Sequence, residues 1–257
     1  MLETAIAAAQ AAGQIIRDQY LAPRQVTQKG YRDVVTDVDV AAEAAIIGLL
    51  RQRFPDHAMI SEEAGGGALG DGYTWVIDPL DGTTNYSRRL PICAVSIGLL
   101  RGREPLLGVI YDPLREQLFA AERGGGATLN GAPIQASARR ELPEAVVGID
   151  WGHEDPVRAG VLEAINRLAP LCATVRALGS ATLALAYVAA GWLDAYLNLT
   201  MKPWDAAAGL VLIAEAGGRC TTPLGGPYGV EVPQCLASNG LLHAALCAAL
   251  VPGSGCT

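Results

Sequence analysis

Trp75-Val76-Ile77-Asp78-Pro79-Leu80-Asp81-Gly82-Thr83-Thr84-Asn85 compresses a strand, a turn and a helix start into one short stretch. The apolar run Trp75–Ile77 reads as a buried strand that ends on Asp78. Pro79 forces Asp78 into an extended conformation and bends the chain. Asp81 follows three residues on, so a tight turn aims both carboxylates and the Leu80 carbonyl at one point. Hard cations such as Mg²⁺ take oxygen-only ligand sets of this kind. Gly82 lets the backbone come close to a ligand. Thr83-Thr84-Asn85 then reads as a helix start, whose exposed amides and positive dipole end suit a phosphate. The competing reading is an ordinary strand-turn-helix with capping Asp and Thr side chains.

Further acids lie on either side. Ser61-Glu62-Glu63 follows an apolar stretch at the edge of a Gly-rich segment, Ser61–Gly72, which reads as a mobile loop. Trp204-Asp205 opens an Ala-rich helix, 206–216, where Asp205 could equally be an N-cap. Asp33, Asp37 and Asp39 cluster between a polar segment, Arg24–Arg32, and a helical one. Each group alone has a plain explanation as a cap or a solvated face, so it is their joint presence that points to a cation site.

Composition narrows the alternatives. The chain has 257 residues, 51% hydrophobic and 18% charged, which describes a folded globular protein with a sizeable core. Aromatics are only 5%, so that core is built mostly from Ala, Val, Leu and Ile. A net charge of -7 argues against a general nucleic-acid surface, which needs a basic stripe. The six cysteines (Cys93, Cys172, Cys220, Cys235, Cys247 and Cys256) form no CxxC pair and fit a reduced, cytoplasmic protein. The N-terminus lacks the basic region of a signal peptide, and no apolar run has the length of a membrane span.

Periodicity predicts helices over 2–21 and 38–53, then strands at 73–77, 94–100, 106–112 and 117–122. The second half alternates. Strands are predicted at 146–150, 195–197 and 236–238, and helices at 156–168, 181–190, 206–216 and 241–250. Strands first and alternation afterwards imply layered sheets and helices, with an N-terminal α+β half at 1–145 and a C-terminal α/β half at 146–257.

Six stretches carry a resemblance: Asp33–Asp39 (DVVTDVD), Ile60–Glu63 (ISEE), Trp75–Asn85, Pro91–Gly98 (PICAVSIG), Arg176–Ala181 (RALGSA) and Trp204–Gly218 (WDAAAGLVLIAEAGG). Together they resemble the inositol monophosphatase family, within the lithium-sensitive, magnesium-dependent sugar phosphatase superfamily. The resemblance implies a layered αβαβα sandwich of the sugar phosphatase type, an α+β fold, and a homodimer. It implies hydrolysis of a small phosphate monoester with two or three Mg²⁺ per site. Glu62, Asp78 and the Leu80 carbonyl would hold one ion, and Asp78, Asp81 and Asp205 a second. The Gly82 and Thr83 amides would bind phosphate, while Thr83, Asp39 and Lys29 would position the attacking water. Gly179, Ser180 and Ala181 would line the side where the alcohol leaves.

One position departs from the pattern. Where members acting on inositol monophosphate carry a glutamate that contacts sugar hydroxyls, this chain has Asn198, which is uncharged and can donate as well as accept. That keeps other substrates open: fructose 1,6-bisphosphate or a 3′-phosphorylated adenosine nucleotide, with Lys202 meeting a second phosphate, or histidinol phosphate. Two different classes also compete. Asp37-Val38-Asp39-Val40 matches the short signature of phosphatases that form an aspartyl-phosphate, though no buried strand is predicted before it. A non-enzymatic role, as a regulatory or RNA-associated interaction protein, is the other.

Overall fold

Alanine spacing decides the first layer of the computed structural model, which describes residues 1–251 and so leaves Cys256 outside. Helix α1 (Leu2–Gln19) buries Ala5, Ala8, Ala9, Ala12 and Ile16 completely. Such a small-residue stripe lets it lie close beside α2 (Asp37–Arg53), which buries Val38, Ala42, Ile46 and Leu50 at four-residue intervals. Both helices cover one face of a seven-stranded sheet through Trp75, Ile77, Leu99 and Val109.

That sheet contains β3 (Ala58–Ser61), β4 (Tyr73–Asp81), β5 (Ala94–Arg101), β6 (Glu104–Asp112), β7 (Gln117–Glu122), β8 (Ala127–Leu129) and β9 (Ala132–Ile134), in that order. Strand β3 runs parallel to β4 and the remaining neighbours are antiparallel. Its other face packs on α5 (Ala181–Ala189) and α6 (Pro203–Glu215). Two glycines set that contact. A Cβ on Gly98 would lie 2.6 Å from Ala207 Cβ, and one on Gly108 would lie 2.3 Å from the Ala208 carbonyl oxygen. We expect Gly108→Ala to cost about 1–3 kcal/mol by overpacking. A chain of this size loses roughly 2–4 °C of Tm per kcal/mol. An unchanged thermal melt would contradict this account of the contact.

Below the helix pair lies a five-stranded sheet of β10 (Val146–Ile149), β11 (Thr174–Ala177), β12 (Ala195–Asn198), β13 (Arg219–Thr221) and β14 (Cys235–Ser238), in the order β11-β10-β12-β14-β13. Its outer face is covered by α4 (Asp155–Leu168) and α7 (His243–Leu250) around Val147, Val161, Leu197 and Leu246. The layers therefore run helix, sheet, helix, sheet, helix, as the resemblance implied. Among the described residues no helix is long and apolar enough to cross a membrane.

The structure adds elements the periodicity did not reveal. The polar segment expected at 24–32 contains β1 (Val26–Gly30), which pairs with β2 (Asp33–Thr36) in a two-stranded hairpin. Every residue of β1 is exposed, so no buried alternation marks it. Asp37 opens α2, and Asp39 forms a capping box with Thr36. The DVDV stretch is thus the first turn of a helix reached from an isolated hairpin, which removes the context an aspartyl-phosphate nucleophile needs. In the 61–72 segment, Leu69 is buried although the sequence showed no core pattern there.

Candidate active site

The strand that begins at Tyr73 does not end at Asp78. Strand β4 runs on to Asp81, with a register irregularity between Asp78 (opposite Ser96) and Asp81 (opposite Ala94). Pro79 and Leu80 fill this bulge, since proline cannot donate to a ladder. One carboxylate leaves the sheet on each side of the bulge. Gly82 then takes φ +85°, and a Cβ there would sit 2.8 Å from the Ile92 carbonyl oxygen, so only glycine fits the turn. The short helix α3 (Thr83–Ser87) starts next, and its first amides have no intrahelical acceptor.

Strand β3 brings the ISEE acids alongside. The Glu62 amide donates to the Ile77 carbonyl (3.1 Å), which sets Glu62 beside Asp78. Glu43 of α2 fixes the turn by accepting from the Ser61 hydroxyl, the Glu63 amide (3.2 Å) and the Ala64 amide (2.9 Å). Lys29, from the hairpin, bridges Glu62 (3.1 Å) and Glu63 (2.7 Å). Burial works against the Lys29 charge, but the two glutamates outweigh it and raise its pKa.

Asp205 arrives from the other side. It is not the cap of α6: the helix begins at Pro203, and Asp205 occupies the first turn, where its carboxylate accepts from the Lys202 amide (2.8 Å). Pro203 is suited to a first helical position because its missing donor is unneeded there.

A cleft of about 1140 Å³ is lined by Lys29, Glu62, Asp78, Leu80, Asp81, Gly82 and Thr83 from one sheet side. Asp150, Gly179, Ala181, Asn198 and Asp205 line it from the other. Burial raises Glu62, Asp78, Asp81, Asp150 and Asp205 within it. Glu62 reaches about 7 despite Lys29. Asp78 is pushed far up by burial and then by Glu62, Asp81 and Asp205, and Asp205 by burial and Asp81. Asp81 is raised less, because Ser180 Oγ (2.5 Å), the Thr182 amide (2.8 Å) and Thr182 Oγ1 (2.6 Å) all donate to it. Asp39 is raised to about 6 by burial, against hydrogen bonds from Thr36 and Thr83.

Among the described residues, no three acidic, His or Cys side chains stand preassembled as a cation cage. The donor chemistry nevertheless fits a hard cation: oxygen only, buried, and mutually repelling until positive charge arrives.

Some residues sit apart from the roles the resemblance implied. Ser180 is 1% exposed, with its hydroxyl committed to Asp81 and to capping α5. Asn198 donates to the Tyr196 hydroxyl (2.8 Å) and accepts from the Thr200 amide (2.8 Å), so its amide is largely engaged. Sequence reasoning missed Asp150, Tyr196, Thr182, Glu43 and the role of Asn85. Asn85 Nδ2 donates to the carbonyls of Ile92 (3.0 Å), Leu178 (2.9 Å) and Gly179 (3.1 Å), clamping the alcohol-side loop to α3. A signal for Asp150 existed, since Val146–Asp150 is an apolar strand ending on an acid, like Trp75–Asp78.

This fold and this cleft define a class: the chain belongs to the inositol monophosphatase family, whose model matches residues 1–253. Among its relatives is the Nus factor SuhB of Salmonella typhimurium, 43% identical over 244 residues, covering 93% of this chain and 91% of that protein. Another is inositol monophosphatase 3 of Solanum lycopersicum, 39% identical over 256 residues, covering 97% and 96%. The crystal structure of extragenic suppressor protein suhB from Bartonella henselae matches with a TM-score of 0.93 at 34% identity, over 98% of each chain.

Proposed function

We propose that the protein is a Mg²⁺-dependent phosphatase that hydrolyses a small phosphorylated polyol, in the manner of an inositol phosphate or related sugar phosphate. One observation carries the reading: buried Asp78 and half-buried Glu62, Asp81 and Asp205 line, with Leu80, a cleft that also presents Gly82 and Thr83. Glu62, Asp78, Leu80, Asp81 and Asp205 would hold the ions, which when bound acidify water and neutralise phosphate charge. The chain's own groups do the rest. Thr83 Oγ1 donates to Asp39 Oδ1 or the Leu80 oxygen (each 2.9 Å), leaving its lone pairs to hold a water against the phosphate. Asp39, near 6, can take a proton relayed through that hydroxyl. Lys29 limits the negative charge around Glu62. The amides of Gly82 and Thr83 cradle phosphate oxygens.

The test is phosphate release from a panel of inositol, sugar and 3′-nucleotide phosphates, with Mg²⁺ and with excess chelator after metal stripping. Release is expected only with metal, and undiminished turnover in chelator sinks the proposal. The Nus factor name of the Salmonella relative motivates a second, non-catalytic reading. The net charge of -7 favours a protein partner over direct nucleic-acid contact in that role. A biological phenotype retained in an inactive Asp78→Asn protein would separate the two.

A further inference from the structure

Asn198 leaves the alcohol end of the cleft without the carboxylate expected there, and the structure supplies one from a neighbouring strand. Asp150 follows β10, next to β12, which ends on Asn198. Both residues line the cleft, together with Gly179 and Ala181. Asp150 Oδ1 accepts from the Gly179 amide (3.1 Å), and Oδ2 accepts from the Tyr196 hydroxyl. Tyr196 is fully buried, and its oxygen in turn accepts from Asn198 Nδ2 (2.8 Å). Asn198 is itself anchored by the Thr200 amide. Three side chains from two adjacent strands thus form one chain of hydrogen bonds that ends on a carboxylate.

Only two donors reach that carboxylate, while its oxygens offer about four lone-pair sites. Asp150 lines the cleft, which is where a further donor can reach it. Burial raises Asp150 to about 6, so at neutral pH it is chiefly an ionised acceptor.

We propose that Asp150, oriented by Tyr196 and Asn198, is the specificity-determining residue that reads the hydroxyls of the substrate's alcohol. The substrate class is accordingly phosphate esters of polyols with free hydroxyls near the ester, in preference to esters of alcohols without them. This rests on the phosphatase reading above.

The experiment compares kcat/KM for inositol monophosphate with kcat/KM for 4-nitrophenyl phosphate, which has no hydroxyl to donate. A hydrogen bond to a charged group corresponds to about ten- to hundredfold in such a comparison. In Asp150→Asn the ratio of the two is expected to fall by that factor, chiefly through KM for the polyol ester. Using the ratio cancels general effects of removing a charge near the phosphate, as well as partial misfolding. Tyr196→Phe, which keeps Asp150 but releases it and Asn198 from the shared hydroxyl, is expected to move the ratio the same way and serves if Asp150→Asn does not fold. A fall of less than tenfold in folded Asp150→Asn, or an unmoved ratio in Tyr196→Phe when that variant stands in, overturns the inference while leaving the phosphatase reading intact. Wild-type protein that releases phosphate from neither ester with Mg²⁺ overturns both.

Discussion

Asp78→Asn is expected to abolish Mg²⁺-dependent phosphate release while making the metal-free protein no less stable. Asp78 is a strongly strained acid of the cleft: buried, and beset by Glu62, Asp81 and Asp205. It is also the one carboxylate proposed to touch both ions. Removing it subtracts several kcal/mol of charge stabilisation, about a thousandfold or more in rate at 1.36 kcal/mol per decade. Asparagine preserves the shape and the acceptor for the Leu80 amide (3.0 Å) and removes the repelled charge. Two measurements check this together: phosphate release, and thermal melts with and without Mg²⁺. Wild type should gain about 2.7 kcal/mol of stability at a hundredfold excess over Kd, and the variant almost none. A variant that melts well below wild type in chelator would show Asp78 to be a structural acid instead.

The second large effect is a coupling between pH and metal. Glu62 is raised from an ordinary 4.5 to about 7, and Asp39 from 3.8 to about 6. A carboxyl with a raised folded pKa binds its proton more tightly when folded. Its stabilising share is therefore complete below the unfolded pKa, near 4, and is lost as pH climbs through the folded one. In chelator, Tm should fall between about pH 4.5 and 7.5, with Glu62 alone accounting for on the order of 3 kcal/mol. Saturating Mg²⁺ should flatten that slope, because the ions supply the charge that protons otherwise provide. Parallel pH curves with and without metal would separate these acids from any cation site.

How much of this was readable in advance varied with the physics. The WVIDPLDGTTN turn was legible because proline, glycine and paired acids each restrict local geometry on their own. Helices α1, α2, α4 and α5 were legible from their apolar period. The β1–β2 hairpin was not, because an exposed ribbon has no buried face to pattern it. Nor was the first turn of α6, where Pro203 starts the helix ahead of its apolar period and leaves Asp205 inside it. The links from Asp81 to Thr182 and from Asp150 to Asn198 are contacts across the fold, settled only when strands and helices meet.

The glycine pair under α6 has a consequence for the cleft. Asp205 rides in the first turn of that helix, only two and three residues ahead of the alanines seated on Gly98 and Gly108. Asp78 is paired with Ser96, whose hydroxyl reaches the Trp204 carbonyl (3.2 Å). The two hydrogens that serve as side chains there act as a spacer, gauging the clearance between acids delivered by opposite layers. A single methyl inserted at that distance from the cleft would widen the gap the ions must bridge, so metal affinity should fall together with the melting temperature.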